Sequence, residues 1–165
     1  MSARDIEVKE LHADDWQRLR AVRLKSLQES PDVLEGDFDA ESKEDETAWR
    51  KKFAKLTFLV ASYQSVDVGL MSIEVLDGDF GATCWIGGCW VSPEVRGQGV
   101  LRAMFNYVDG QVPVRDWSKQ GLGVMEDNLL AISAYEKLGF LVMGEKKIAN
   151  PELNTFYQRM IRTAK

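Results

Sequence analysis

The sequence has little of what metal sites and disulfide frameworks require. Its 165 residues include one histidine and two cysteines, Cys84 and Cys89. A protein zinc site needs several such ligands together, so we predict that no metal is bound. The cysteines stand five residues apart in one predicted strand, about 16 Å at strand rise. That span is too long for a disulfide, and we expect two reduced, buried thiols.

Long apolar runs and an excess of positive charge are also lacking. No run approaches the roughly 20 apolar residues of a membrane-spanning helix, and residues 1–5 do not resemble a secretory signal. Acidic residues outnumber basic ones by 26 to 21, for a net charge of −5, whereas nucleic-acid-binding domains usually present a basic face. We therefore expect a cytoplasmic protein that binds neither membranes nor nucleic acid.

The periodicity that is present predicts a mixed α/β or α+β domain with one central sheet. Helical spacing predicts four helices, which begin near residues 15, 47, 100 and 128. The second is expected to end at residue 56 and the third at Asp109-Gly110, and Asn128 is the expected cap of the fourth. Alternating or short apolar runs predict strands at 6–11, 57–63, 68–76, 82–91, 121–125, 140–148 and 155–161. The length favours one domain over residues 1–165.

Residues 32–46 differ from the rest of the chain in charge. They contain one base, Lys43, and eight acids, namely Asp32, Glu35, Asp37, Asp39, Glu41, Glu44, Asp45 and Glu46. Charge runs are common on solvated, mobile surface segments. The alternative is a surface that attracts a cationic ligand.

The stretch Arg96-Gly97-Gln98-Gly99 separates a predicted strand from a predicted helix. The first N–H groups of a helix lack partners and carry the positive end of its dipole, so they bind anions. Glycines allow close backbone approach and positive φ, and an arginine suits phosphate. These residues predict a diphosphate site, and the alternative is a turn that only reverses the chain.

Two common phosphate motifs do not account for this turn. The P-loop ends in Gly-Lys-Ser/Thr, which is absent here. The dinucleotide fingerprint needs a third glycine and an acidic ribose partner in a βαβ unit, and the stretch has neither.

Two segments together are similar to a known family. Residues 91–100, VSPEVRGQGV, resemble the acetyl-CoA diphosphate loop of the GNAT superfamily of N-acetyltransferases, Gln/Arg-x-x-Gly-x-Gly/Ala. Residues 128–140, NLLAISAYEKLGF, resemble that family's Asn-x-x-Ala…Tyr-x-Lys-x-Gly-Phe segment. The resemblance extends to the order of elements over almost the whole chain. It implies a single GNAT-like domain, with a mixed, mostly antiparallel central sheet flanked by about four helices, and it is compatible with a homodimer.

The resemblance also implies a co-substrate, acetyl-CoA, and the residues that hold it. Backbone groups of Trp90 and Val91 are expected at the pantetheine arm and thioester, and Asn128 beside the cofactor or the sheet edge. Gly87 and Gly88 would suit a bulge that makes room for the arm, or close packing against a side chain. The expected diphosphate residues are Arg96, Gly97, Gln98, Gly99, Val100 and Leu101.

The implied reaction moves an acetyl group directly to a small-molecule or peptide amine. Tyr135 matches the family tyrosine near the thioester sulfur, where a neutral phenol can protonate the leaving thiolate. Its alternative role is packing on the inner face of the helix. Residues 83–90, TCWIGGCW, contain no carboxylate where many members have a glutamate base. Glu74 is the candidate base, and the alternatives are an outward-facing Glu74 and proton loss to water.

One departure from the family pattern keeps a second function open. Leu101 stands where the pattern has glycine or alanine, and its larger side chain could narrow the space around the diphosphate. Together with the missing glutamate it favours a non-catalytic acyl-CoA-binding regulatory module, whereas Tyr135 favours an enzyme. An enzyme that uses a longer acyl-CoA is a further alternative. The resemblance also implies that the segment joining the first two helices borders the acceptor side of the cleft, so the acidic residues 32–46 predict a cationic amine as acceptor.

Overall fold

Seven strands and five α-helices form in the part of the chain described by the structure, a computed structural model that covers residue 2 and residues 5–165. Met1, Ala3 and Arg4, on which the prediction about a secretory signal depends, lie outside the described residues. The strands are β1 (Ile6–Leu11), β2 (Leu56–Tyr63), β3 (Val66–Val75), β4 (Cys84–Val91), β5 (Lys119–Met125), β6 (Leu141–Asn150) and β7 (Thr155–Thr163). The helices are α1 (Trp16–Glu29), α2 (Phe38–Ser42), α3 (Glu46–Lys51), α4 (Val100–Gln111) and α5 (Leu129–Lys137).

The strands form a seven-stranded sheet in the order β1-β2-β3-β4-β5-β7-β6. β4 and β5 are parallel, with Cys84 opposite Gln120. The pairs β1–β2, β2–β3, β5–β7 and β6–β7 are antiparallel. The predicted mixed, mostly antiparallel sheet is therefore confirmed.

Two predicted helix ends need correction, and one short helix was not predicted. Within the acidic residues 32–46, Phe38–Ser42 form α2. The predicted second helix ends at Lys51 instead of residue 56, because Leu56 pairs with Glu74 as the first residue of β2. α4 continues past the predicted stop at Asp109-Gly110 to Gln111. A glycine weakens a helix by only about 1 kcal/mol, which the packing of an apolar helix face can outweigh.

The chain divides into two compact units. The first contains residues 1–74 and 88–108, and the second contains residues 75–87 and 109–165. β4 contributes its first four residues to the second unit and its last four to the first. The prediction of one domain over residues 1–165 stays a prediction.

In the first unit, α1, α3 and strands β1 to β4 share a core around Trp49 and Trp90, with Leu11, Leu19, Val22, Phe58, Val60 and Leu70. α4 lies close to β3, since a Cβ at Gly69 would lie 3.0 Å from Val100 Cγ1 and 3.1 Å from Met104 Cε. The backbone N–H of Ser92 donates to Val68 O over 2.8 Å. These contacts fix both ends of the glycine turn between β4 and α4.

In the second unit, buried polar groups connect the end of α4 to the sheet. The Arg162 guanidinium donates to Asp109, and Gln120 Nε2 donates to Trp117 O over 3.1 Å. Gly121 faces Trp85, whose Cε3 would lie 2.5 Å from an added Cβ. Within the described residues no helix combines the length and apolarity of a membrane span. A cytoplasmic location stays a prediction.

Candidate functional site

The glycine turn has a backbone that favours glycine and open space above it. After β4, a 3-10 turn at Pro93–Val95 leads into the turn, and α4 begins at Val100. Gly97 has φ +76° and Gly99 has φ +93°, which side-chain-bearing residues resist. A Cβ built on either glycine would meet no atom of the described residues within 4 Å. Packing therefore does not explain the two glycines, and a ligand can approach this backbone closely.

The beginning of α4 presents backbone donors at this turn. Ala103 N donates to Gly99 O over 3.0 Å, as in the first turn of a helix. The N–H groups of Val100, Leu101 and Arg102 precede that bond and belong to the set that a helix leaves without intrahelical partners. The Val100 side chain is buried and that of Leu101 half-buried, so the backbone supplies the polar groups. The arrangement fits a diphosphate.

The polar side chains of the turn are tied to the turn itself or to α1. Arg96 donates through Nε to Val91 O over 2.9 Å and through Nη2 to Glu29 Oε2 over 3.0 Å. Gln98 Nε2 donates to Glu94 O over 3.3 Å, and the Ser92 hydroxyl donates to the Glu94 carboxylate. Arg96 is thus beside the predicted diphosphate position but is engaged with another carboxylate.

Glu29, the last residue of α1, contacts the glycine turn, which the sequence did not predict. Its Oε2 also accepts from Trp90 Nε1 over 2.7 Å. Burial alone would raise the pKa of Glu29, but hydrogen bonds from Ser30, Trp90 and Arg96, with the charge of Arg96, lower it overall. Glu29 and Arg96 stand 67 residues apart in the chain, so no local pattern could have revealed the contact.

β4 has an irregular backbone at Gly88, one of the two glycines predicted to form a bulge. Gly88 has φ +53°, and an added Cβ would lie 3.3 Å from Arg23 Nη1. Arg23 is itself held by Glu41 through two hydrogen bonds of 3.0 and 3.1 Å. The positive φ and the nearby Arg23 side chain both favour glycine at this position, and the bulge that makes room for the arm stays a prediction. Glu74, the candidate base, is half-buried near the end of β3, opposite Leu56.

The second unit holds the other two predicted site residues. Asn128 caps α5, because its Oδ1 accepts from Ala131 N over 3.3 Å, as the sequence predicts. Tyr135 is 8% exposed, and its ring meets Phe140 edge to face at 5.7 Å between centroids. The predicted apolar position of Tyr135 on α5 is confirmed, and its catalytic role stays a prediction.

Cys84 has the properties of a packing residue. It is fully buried in the second unit, and burial, with the charge of Asp116, raises the pKa of its thiol to about 12. A thiol with that pKa remains protonated at neutral pH and is a poor nucleophile. The described residues also contain no His/Cys/Asp/Glu group able to hold a metal ion.

Most of the acidic residues 32–46 are used by the fold of the first unit. Asp37 and Asp45 cap α2 and α3 by accepting from Ala40 N and Ala48 N. Three more carboxylates form ion pairs, namely Glu41 with Arg23, Glu44 with Lys52 and Glu46 with Arg50. Asp32, Glu35 and Asp39 are exposed, and among the contacts of the described residues their carboxylates have neither role.

Comparison with known proteins shows the family and the fold. The model of the acetyltransferase (GNAT) family matches residues 9–140. A GNAT-family acetyltransferase from Streptococcus pneumoniae superposes with a TM-score of 0.74 at 16% identity, covering 97% of this chain and 99% of the other. The ribosomal-protein-S18-alanine N-acetyltransferase of Escherichia coli gives 0.68 at 15% identity, covering 96% and 94%. Spermidine N-acetyltransferase of Vibrio cholerae, in complex with CoA and spermine, gives 0.71 at 15% identity, covering 98% and 96%.

Proposed function

Because this chain belongs to the acetyltransferase (GNAT) family, we propose that it transfers the acetyl group of acetyl-CoA directly to a primary, cationic amine. The observation that carries the proposal is the glycine turn at the start of α4. Its two positive-φ glycines face open space beside the helix N-terminus. That combination suits the diphosphate of coenzyme A.

Each cofactor residue is proposed to contact a particular part of acetyl-CoA. Gly97 and Gly99 let the diphosphate approach the backbone, and the N–H groups of Val100 and Leu101, at the N-terminal end of α4, would donate to it. Trp90 and Val91 would offer backbone groups to the pantetheine arm. The Val91 carbonyl, which accepts from Arg96, retains a second lone pair for this purpose. Asn128 would contribute its amide nitrogen, since its Oδ1 caps α5.

Starting from the protonated amine, the nitrogen loses two protons and the sulfur gains one. After the first proton has left, the nitrogen bonds to the thioester carbonyl carbon and the C–S bond breaks. The thiolate takes a proton from the Tyr135 hydroxyl, and the second proton of the nitrogen passes through solvent to restore that phenol. A phenol with an ordinary pKa of about 10 is protonated at neutral pH and can act as this acid. The contact with Phe140 supports the role because it restricts the position of the ring.

The amine must lose its proton before it attacks. An alkylamine with a pKa of about 10.4 is mostly protonated at neutral pH. Glu74 is the proposed acceptor of that proton, directly or through water, because residues 83–90 carry no carboxylate. Its partly exposed position on β3 supports exchange of the proton with solvent.

A cationic acceptor is supported by charge near α1 and α2. Asp32, Glu35 and Asp39 are exposed acids that no helix cap or ion pair uses among the described contacts. Such a cluster raises the local concentration of cations and speeds their encounter. Two proteins of similar structure are named for amine substrates, namely spermidine and a ribosomal-protein alanine.

A thiol-release assay with acetyl-CoA tests the function. The panel should contain spermidine, an aminoglycoside, a lysine peptide, an alanine-terminated peptide and an amine of low basicity. We expect coenzyme A release with at least one cationic amine, and a product heavier by one acetyl group. Binding of acetyl-CoA without release for any amine would favour the non-catalytic module instead. Faster release from butyryl-CoA would point to a longer acyl donor.

A further inference from the structure

The Glu29 carboxylate contacts two residues of the proposed cofactor site that differ in how firmly they are held. Trp90 is 3% exposed and belongs to the core of the first unit. The side chain of Arg96 is 51% exposed, and that of Glu29 is 30% exposed. The bond from Trp90 is therefore protected from water, whereas the ion pair with Arg96 is partly solvated.

A ligand should therefore replace Glu29 as the partner of Arg96 more easily than water replaces it as the partner of Trp90. Partly exposed ion pairs contribute little to stability. A guanidinium makes charge-assisted, frequently bidentate hydrogen bonds with a phosphate group, whereas one hydrogen bond from Arg96 to Glu29 is described. Arg96 directly precedes the two glycines that face open space, so a diphosphate bound there would compete with Glu29 for its guanidinium. Trp90 would keep Glu29 in place during such an exchange.

We propose that Glu29 is a positioning residue that sets the affinity of the glycine turn for coenzyme A by competing with the diphosphate for Arg96. This inference rests on the proposed function, since it needs coenzyme A at the turn. Glu29 is ionised at neutral pH, because its pKa is lowered overall. A ligand must therefore replace a charged partner of Arg96 before it gains that guanidinium.

Trp90 Nε1 and Arg96 Nη2 both donate to Glu29 Oε2, so the substitution Glu29→Gln tests the charge of this oxygen. The amide oxygen of glutamine still accepts from Trp90 Nε1, so the tie to the core is kept. The bond to Arg96 loses its charge and becomes weaker. Glu94→Gln is the matched control, because it removes an equal charge from the same turn. The Glu94 carboxylate accepts a hydrogen bond from Ser92 and has no described hydrogen bond from Arg96, whose charge acts on it without direct bonding. The comparison therefore isolates the direct contact between Glu29 and Arg96.

Isothermal titration calorimetry should be done with coenzyme A and with pantetheine, which has no diphosphate. We expect Glu29→Gln to lower the Kd of coenzyme A by about threefold to tenfold, in line with charge-assisted bonding of the released arginine. The Kd of pantetheine should not change. The gain should exceed that of Glu94→Gln and should disappear when Arg96→Gln is also present.

Several results would overturn the inference. These are weaker binding of coenzyme A by Glu29→Gln, an equal gain in Glu94→Gln, and a gain that persists with Arg96→Gln. Parallel weakening of pantetheine binding with a lower Tm would assign Glu29 a purely structural role, which also overturns it. If the unsubstituted protein binds no coenzyme A, the proposed function itself fails. That result is distinct from the others, in which coenzyme A binds but the variants rank differently.

Discussion

Gly99 in the first unit and Gly121 in the second are glycines for opposite physical reasons. At Gly99 the backbone has φ +93°, and no atom of the described residues would meet an added Cβ within 4 Å. At Gly121 a Cβ would collide with the Trp85 ring. Glycine at position 99 is explained by its positive φ and by open space that a ligand can enter, and glycine at position 121 is explained by packing against Trp85. Substitution should therefore change ligand binding in the first unit and stability in the second.

Tyr135 is the exception with the largest expected effect, because the proposed function gives a catalytic role to a packed residue of the second unit. If Tyr135 is the general acid, Tyr135→Phe should lower kcat by about 10²-fold with little change in the Kd of acetyl-CoA. Phenylalanine keeps the ring contact with Phe140, so the fold should persist. Steady-state kinetics with the best amine would measure the effect.

The matched control for this hydroxyl is Tyr107→Phe in the first unit. The Tyr107 hydroxyl donates to Glu10 Oε2 over 3.1 Å, outside the proposed site. Its loss should leave kcat close to the parent value. A near-normal kcat in Tyr135→Phe as well would reduce Tyr135 to a packing residue.

Gly121→Ala should produce the stability effect predicted for the second unit. Forcing a methyl group against Trp85 should lower the free energy of unfolding by about 1–3 kcal/mol, as overpacking usually does. Urea denaturation would measure it. Gly110→Ala is the control. Apart from the neighbouring residues and the backbone of its own helix, no described atom would lie within 4 Å of an added Cβ, and alanine suits the helix. Equal stability of the two variants would contradict the packing explanation.

Gly99→Glu should produce the binding effect predicted for the first unit. A carboxylate beside the diphosphate should raise the Kd of acetyl-CoA at least about tenfold, or roughly 1.4 kcal/mol. Gly99→Gln brings the same positive-φ strain without the charge, so the difference between the two variants reports electrostatic repulsion. An unchanged Kd in folded Gly99→Glu would remove this turn as the cofactor site.

The smallest expected effect concerns acids of the first unit. Replacing Glu35, Asp37 and Asp39 by their amides should raise KM for a cationic amine by about twofold to fivefold, because electrostatic attraction weakens. Asparagine at 37 still caps α2. The difference from the parent should fade between 0.1 and 1 M salt, where the Debye length falls from about 10 to 3 Å.

A charge-matched triple variant in the second unit serves as control. Asp127, Glu145 and Glu152 are exposed acids, and their amides should leave KM near the parent value. If the first-unit variant also keeps the parent KM, or if the best acceptor is neutral or anionic, the cationic-acceptor proposal fails. The acetyltransferase proposal would survive that result.

Local sequence patterns were sufficient for most of the secondary structure. The strands and the four longer helices follow from periodicities that neighbouring residues set within one or two turns. Asn128 as a helix cap and the glycine turn were equally readable, because both depend on residues close in the chain. The five-residue α2 was missed because its acidic composition is typical of a solvated surface segment.

By itself, then, the sequence determined the family, the sheet and the position of the glycine turn. Only the tertiary structure decided which charges and glycines are used for folding and which face open space. Arg96 is tied to Glu29 across 67 residues and Trp90 to Glu29 across 61. Gly121 lies under the ring of Trp85. Such contacts depend on where packed strands and helices bring distant side chains together, and no spacing within one segment encodes them.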